Sequence, residues 1–165
     1  MTRYTTMDSP LGVLLMTAGE DGGLHAVLAP NTKGQVGRPD PDWTADPAPF
    51  AAAVEQLTAY FEGDLKEFDL PLAPQGSEFR RRVWAALDGI PYGGTVSYGK
   101  LTAAAGQSPS AVRAVAGAIG ANPLLIVRPC HRVVGANGAL TGFAAGLDAK
   151  RLLLRLESAD DTLFS

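Results

Sequence analysis

Reactive side chains are scarce in this chain: its 165 residues hold one cysteine, Cys130, and two histidines, His25 and His131. A single thiol excludes an intramolecular disulfide and a two-cysteine redox centre. A structural zinc site would need about four Cys, His or carboxylate ligands, for which no paired spacing exists. No apolar run approaches the ~18 residues of a membrane span, and the N-terminal MTRYTTMDSP has no apolar stretch of signal-peptide type. Together these absences predict a protein of the reducing cytoplasm with no membrane partner. There is no internal repeat.

Charge is distributed unevenly. The net charge is −3, yet residues 1–74 carry four Lys/Arg against eleven Asp/Glu, whereas residues 75–165 carry ten against six. The second half is therefore basic, and a basic half can meet an anionic ligand while an acidic one faces water.

What is present reads as two lobes, 1–74 and 75–165, of an α/β protein. RYTTM, GVLLMTA and LHAVLA, separated by turns at Asp8-Ser9-Pro10 and Glu20-Asp21-Gly22-Gly23, predict an antiparallel meander. Residues 29–49 hold five of the twelve prolines and read as a long loop. Phe50, Val54, Leu57 and Phe61 have helical spacing, and Gly63 can stop that helix. The Pro/Gly-punctuated segment 66–76 is the connector, after which Ser77 caps a helix carrying Phe79, Val83, Trp84 and Leu87. Ser97 caps a short helix to about Ala105, and a GQSP turn leads to a second helix, Ser110 to Ala121. Two short helices around a glycine-containing turn suggest a helix-turn-helix. LLIV is a buried run leading to Cys130, and KRLLLRLE, residues 150–157, is helical.

The cysteine sits in Pro129-Cys130-His131-Arg132-Val133-Val134. A cysteine phosphatase would place an arginine about six residues after the thiol, and position 136 is Ala. A cysteine protease would draw its base from a distant segment, and the other histidine, His25, falls on a predicted strand. What remains is a thiol with an adjacent imidazole. Neighbours on an extended strand face opposite ways, so the two share chemistry only across a sharp turn or through a water, and Pro129 favours a turn. A carboxylate orienting His131 would let it accept the thiol proton. Spacing leaves Glu157 and Asp148 both open for that role.

These residues resemble the active-site signature of the O6-alkylguanine-DNA alkyltransferases, the methylated-DNA–protein-cysteine methyltransferases. Ile90-Pro91-Tyr92-Gly93, Thr95, Ser97-Tyr98-Gly99, Arg113-Ala114-Val115 and Asn122-Pro123 follow in the family's order over residues 77–157, and MDSPLGVLLMTAGEDGGL looks like its variable first lobe. The resemblance implies a ribonuclease-H-like sheet-and-helix first lobe and a helical second lobe with a winged helix-turn-helix. It implies direct-reversal repair: Cys130 takes the alkyl group from O6 of guanine, and from O4 of thymine, irreversibly and once per molecule. His131 acts as base through a water, Glu157 rather than Asp148 orients it, and Asn122 is the hinge. The partner is double-stranded DNA with alkylated bases, bound in its minor groove by a monomer, with cooperativity left open. The target base must be flipped out. Arg113 fills its place in the stack, Tyr98 helps rotate the phosphate and contacts the base, and the small Ala111 and Ala114 admit the helix to the groove. Phe143, Val133 and Ala144 fall around the substrate pocket.

The chain departs from the pattern in three places. Phe143 keeps an aromatic wall where a tyrosine is usual but lacks its hydroxyl. Arg128 stands where an apolar residue commonly precedes Pro-Cys, so that it either reaches DNA phosphate or forms a surface ion pair. One extra residue lies between Tyr98 and Arg113. A thiolate acceptor requires no metal or organic cofactor, and the zinc ligands of some relatives have no counterpart. The rival expectations are a non-catalytic damage-binding protein, which typically lacks the cysteine, and an alkylation-responsive transcription factor, for which two lobes leave no sensing domain.

Overall fold

A computed structural model describes residues 2–30, 39–140, 142–143 and 145–158. The meander forms as the alternation predicts: β1 (Arg3–Met7) pairs antiparallel with β2 (Leu14–Ala18), and β2 with β3 (Leu24–Leu28). Ser9 folds the first turn by accepting from the Leu11 N–H and donating to the Gly12 carbonyl, while Gly12 takes φ +101°, open to glycine at little cost. All five residues of β2 are buried, as suits the strand flanked on both sides.

The loop expected over 29–49 is partly structured. Thr44–Ala45 forms β4, which pairs parallel with β1 and completes a sheet of order β3-β2-β1-β4. Two residues carry no visible alternation, so the strand was invisible to pattern. Residues 31–38 of that loop lie outside the described residues.

The next helix, α1 (Ala51–Phe61), ends just before Gly63 as expected, but its buried face is shifted. Phe50, Ala53, Leu57 and Tyr60 are buried, whereas Val54 and Phe61 are only partly so. The hydrophobic spacing mispointed the stripe because it passed over Tyr60, whose polar tip finds a partner inside the protein.

In the second lobe α2 (Glu78–Leu87) is capped by Ser77, whose hydroxyl accepts the Arg80 N–H, and buries Val83, Trp84 and Leu87. The two short helices follow as α3 (Tyr98–Ala104), capped by Ser97, and α4 (Val112–Gly120), which is entered through a 3₁₀ turn at Pro109–Ala111. Gly106 turns the chain between them at φ +75°. This is the expected helix-turn-helix. Beside it, β5 (Val96–Ser97) pairs parallel with β6 (Val133–Val134), and α5 (Leu147–Glu157) closes the lobe. The Trp84 indole N–H donates to the Ala118 carbonyl at 2.7 Å, tying α2 to α4.

The lobes share a core rather than merely touching. The outer edge of β3 accepts the connector, through Leu24 N–H to Pro71 O and Ala73 N–H to Leu24 O, both 2.8 Å. It also accepts the segment after α4, through Val27 N–H to Pro123 O at 2.8 Å and Leu125 N–H to Val27 O at 3.1 Å. An edge that would otherwise expose unpaired backbone thus templates the run that leads to Cys130. Leu124, Leu125, Ile126 and Val127 are all buried, as their apolar run predicts.

Candidate active site

Asn122, at the end of α4, organises the approach to the cysteine. Its Oδ1 accepts the Leu124 N–H at 3.1 Å, and its Nδ2 donates to the carbonyls of Arg128 at 3.1 Å and Leu124 at 3.4 Å. Within this span Val127 N–H reaches Leu125 O across Ile126, a β-branched residue held at φ +73° in a strained γ-turn. Pro129, at φ −81° and ψ 62°, sits in a relaxed inverse γ-turn that directs Cys130 N–H to Arg128 O. Cys130–Arg132 then forms one 3₁₀ turn. The sharp turn expected from Pro129 is therefore present.

Behind the turn lies a buried polar cluster. His131 is wholly buried, with Nε2 2.6 Å from Glu157 Oε2. Its Nδ1 is also buried and makes no hydrogen bond among the described residues. Nε2–H facing the carboxylate leaves Nδ1 as the free lone pair. Burial lowers the basicity of His131, outweighing the pull of Glu157, so the imidazole is neutral near pH 7. Arg132 donates Nε to Glu157 Oε1 at 2.7 Å, Nη2 to Oε2 at 3.1 Å and Nη1 to the Ile90 carbonyl at 2.6 Å. Burial would raise the Glu157 carboxyl, but hydrogen bonds from His131 and Arg132, the charge of His131 and the Tyr60 hydroxyl hold it at about 2.

Burial pushes the Cys130 thiol up to about 11, against the Asn122 side-chain amide and the charge of Lys150. Lys150 is itself wholly buried, donating Nζ to Val133 O at 2.6 Å and Gly142 O at 3.3 Å. Its burial brings it down to about 8. The Cys130 side chain opens onto a cavity of about 330 Å³ walled by Tyr98, Ala116, Ile119, Gly120, Gly142 and Phe143.

Arg113 and Ala114 are exposed on α4, opposite its buried Val115, Ala118 and Ile119; Ala111 is half-buried just before it. Tyr98 is half-buried at the start of α3 and reaches the cavity. Cys130, His131, Glu157 and Asn122 thus gather around one turn, with Tyr98 and Phe143 on the cavity wall.

Other expected residues lie elsewhere. Val133 is wholly buried in β6 opposite Val96 and does not line the cavity; strand pairing takes its backbone and the core its side chain. Arg128 points to Asp88 at the end of α2, 3.4 Å from Nε to Oδ1, with its side chain 14% exposed, so it forms the ion pair and is not carried forward as a phosphate contact. Asp148 is exposed and pairs with Arg151, away from His131. Ala144 lies outside the described residues.

Three members of the cluster escaped the sequence reading. Arg132 and Lys150 carried a signal, being charges inside apolar stretches. Tyr60 carried none, because its partner Glu157 is 97 residues away. Among the described residues no three His, Cys, Asp or Glu side chains converge as a metal site, and no helix is long and apolar enough to cross a membrane.

Two family models match the chain: the 6-O-methylguanine DNA methyltransferase ribonuclease-like domain over residues 2–74, and the DNA binding domain of the same family over residues 78–159. A methylated-DNA–protein-cysteine methyltransferase of Mycolicibacterium paratuberculosis is 52% identical, covering 95% of this chain and 93% of its own. That of Methanosarcina acetivorans is 47% identical over 94% and 98%. Among solved structures, Mycobacterium tuberculosis OGT in complex with DNA superposes with a TM-score of 0.86 at 46% identity, covering 99% of both chains.

Proposed function

Because the chain belongs to the 6-O-methylguanine DNA methyltransferase family, we propose that Cys130 is the alkyl-accepting residue of a direct-reversal repair reaction on alkylated DNA. The observation that carries this reading is a thiol opening onto a cavity with a neutral imidazole and its carboxylate sealed behind it. A thiol held near 11 is protonated at neutral pH, so it needs a base as it reacts. His131 supplies one: its free Nδ1 lone pair takes the thiol proton through a water, and Glu157 stabilises the resulting imidazolium.

The sulfur then attacks the alkyl carbon, the S–C bond forming as the C–O6 bond breaks. Guanine leaves with its electron pair and regains a proton at N1, so the proton lost from sulfur balances the one gained by the base. The thioether product has no leaving group to return, which makes the transfer irreversible and stoichiometric. A thiol acceptor balances this equation without a metal or organic cofactor. O4-alkylthymine presents the same alkyl–oxygen bond and is the second substrate.

Cys130 is buried, so the base must leave the stack to reach it. Exposed Arg113 fills the gap, and Tyr98, on the cavity wall, guides the nucleotide and contacts the base. The small side chains of Ala111 and Ala114 suit a helix laid in the minor groove, where few bases are read and damage can be sought in any sequence. The protein acts in this way as a monomer in the cytoplasm.

Intact mass after incubation with a duplex carrying one O6-methylguanine tests the reading. The expected result is a gain of one methylene unit, saturating at one per molecule and absent in Cys130→Ser. Tight lesion-selective binding with no gain would replace the enzyme by a damage-marking protein.

A further inference from the structure

Three elements converge on Glu157: α5, which it ends, the Cys130–Arg132 turn, and α1 of the first lobe. The two carboxylate oxygens are loaded unequally. Oε1 accepts from Arg132 Nε, whereas Oε2 accepts from Tyr60 Oη at 2.5 Å, His131 Nε2 at 2.6 Å and Arg132 Nη2 at 3.1 Å. We propose that Tyr60 is a positioning residue for alkyl transfer: its hydroxyl shares the carboxylate oxygen that holds His131 and thereby sets how strongly Glu157 draws a proton onto the imidazole. This rests on the reading in which His131 is the base.

The hydroxyl is separable from the ring. The ring packs against Phe61, Phe68 and Tyr92, with centroids 5.3, 5.5 and 6.3 Å away, and phenylalanine would fill that space equally. Only the oxygen requires Glu157. Burial, and then the negative charge of Glu157, suppress ionisation of the phenol, so it stays a donor throughout the working pH range. The other titratable groups facing the pair are Arg132 on the turn, Lys150 on α5, Cys130 and, toward Glu157, Tyr92 before β5. All belong to the second lobe. Tyr60 therefore lets the first lobe, which is remote in sequence from the thiol, tune the base.

The sign follows from sharing. A phenol O–H on Oε2 withdraws charge that would otherwise stabilise the imidazolium. Its removal makes His131 more basic, and an imidazole that stays protonated to higher pH accepts no proton from sulfur below that pH. In Tyr60→Phe the acid limb of the single-turnover rate, followed by transfer of methyl from an O6-methylguanine duplex, should move up by about half to one pH unit, with affinity for undamaged duplex unchanged.

Site-specific replacement of Tyr60 by a fluorinated tyrosine, a stronger donor of nearly the same shape, should move the limb the opposite way. It keeps the test decisive even where Tyr60→Phe folds poorly. A lowered urea midpoint with both limbs unmoved would reduce Tyr60 to packing and overturn the proposal, while the wild-type chain still transferred methyl. A wild-type chain that transfers none would overturn the proposal together with the reading it rests on.

Discussion

Around Glu157, the side chains of Tyr60, His131 and Arg132 are buried and all hydrogen-bond one carboxylate, Arg132 also reaching the Ile90 carbonyl, whereas on α4 Arg113 stands in solvent with no ion pair among the described residues. Both are polar sites in the same lobe or at its border. The buried one is committed when the chain folds, because each group left unpaired would carry its full desolvation cost. The exposed one is left uncommitted, so that its charge and length are free for a partner that arrives later. In the proposed function, proton transfer needs fixed atoms, and a helix laid against DNA needs side chains not already engaged.

Glu157→Gln strikes the committed side hardest. It keeps the shape but leaves buried Arg132 without its counter-charge, and should cost about 3–5 kcal/mol in urea unfolding. Transfer from a methylated duplex should fall by roughly a hundredfold or more through loss of the oriented base. The pH dependence gives an independent check. The Glu157 carboxyl falls from an ordinary 4.5 to about 2 in the fold. Its contribution is therefore complete above about 4.5 and lost as pH falls toward 2. Acid unfolding midpoints should show that loss in the wild type and not in the variant.

Arg113→Ala addresses the uncommitted side. Its unfolding free energy should stay within about 0.5 kcal/mol of wild type. Transfer from duplex should fall about ten- to a hundredfold, reflecting the few kcal/mol of an unfilled stack, while transfer from free O6-methylguanine base is unchanged. Equal losses on both substrates would erase the division of labour.

The smallest effect is expected at Arg128→Ala. Its pair with Asp88, whose carboxylate is half-exposed, contributes about 1 kcal/mol or less, and the salt dependence of duplex binding should keep its slope. A slope shallower by about 0.9 would instead mean that Arg128 neutralises a phosphate and belongs with Arg113.

How much was legible differed in the same way. The meander, the Ser77 and Ser97 caps, the helix pair and the buried LLIV run follow from local rules, since periodicity, capping hydroxyls and turn residues act over a few positions. So did the closeness of Cys130 and His131. Two-residue β4 has no pattern to read, and the buried stripe of α1 was misplaced because the spacing of Phe50, Val54, Leu57 and Phe61 left out Tyr60. Val133 was assigned to the pocket, yet a strand ladder claimed it; Arg128 was left between a phosphate and an ion pair, and Asp88 supplies the ion pair.

By itself the sequence determined the thiol and its adjacent imidazole, a proline that turns the chain there, a basic second half, and helices short enough to form a reading pair. These are properties of composition and near neighbours. Spacing left Glu157 and Asp148 open, and only the family resemblance favoured Glu157; the tertiary structure shows the imidazole facing it, since the two carboxylates lie on the same helix and differ in what packs against them. It also decided that β3 templates the segment before Cys130 and that a tyrosine from the first lobe completes the cluster. The physical reason is that burial selects partners by proximity in space, and the cost of leaving any one of them unpaired makes that selection unique.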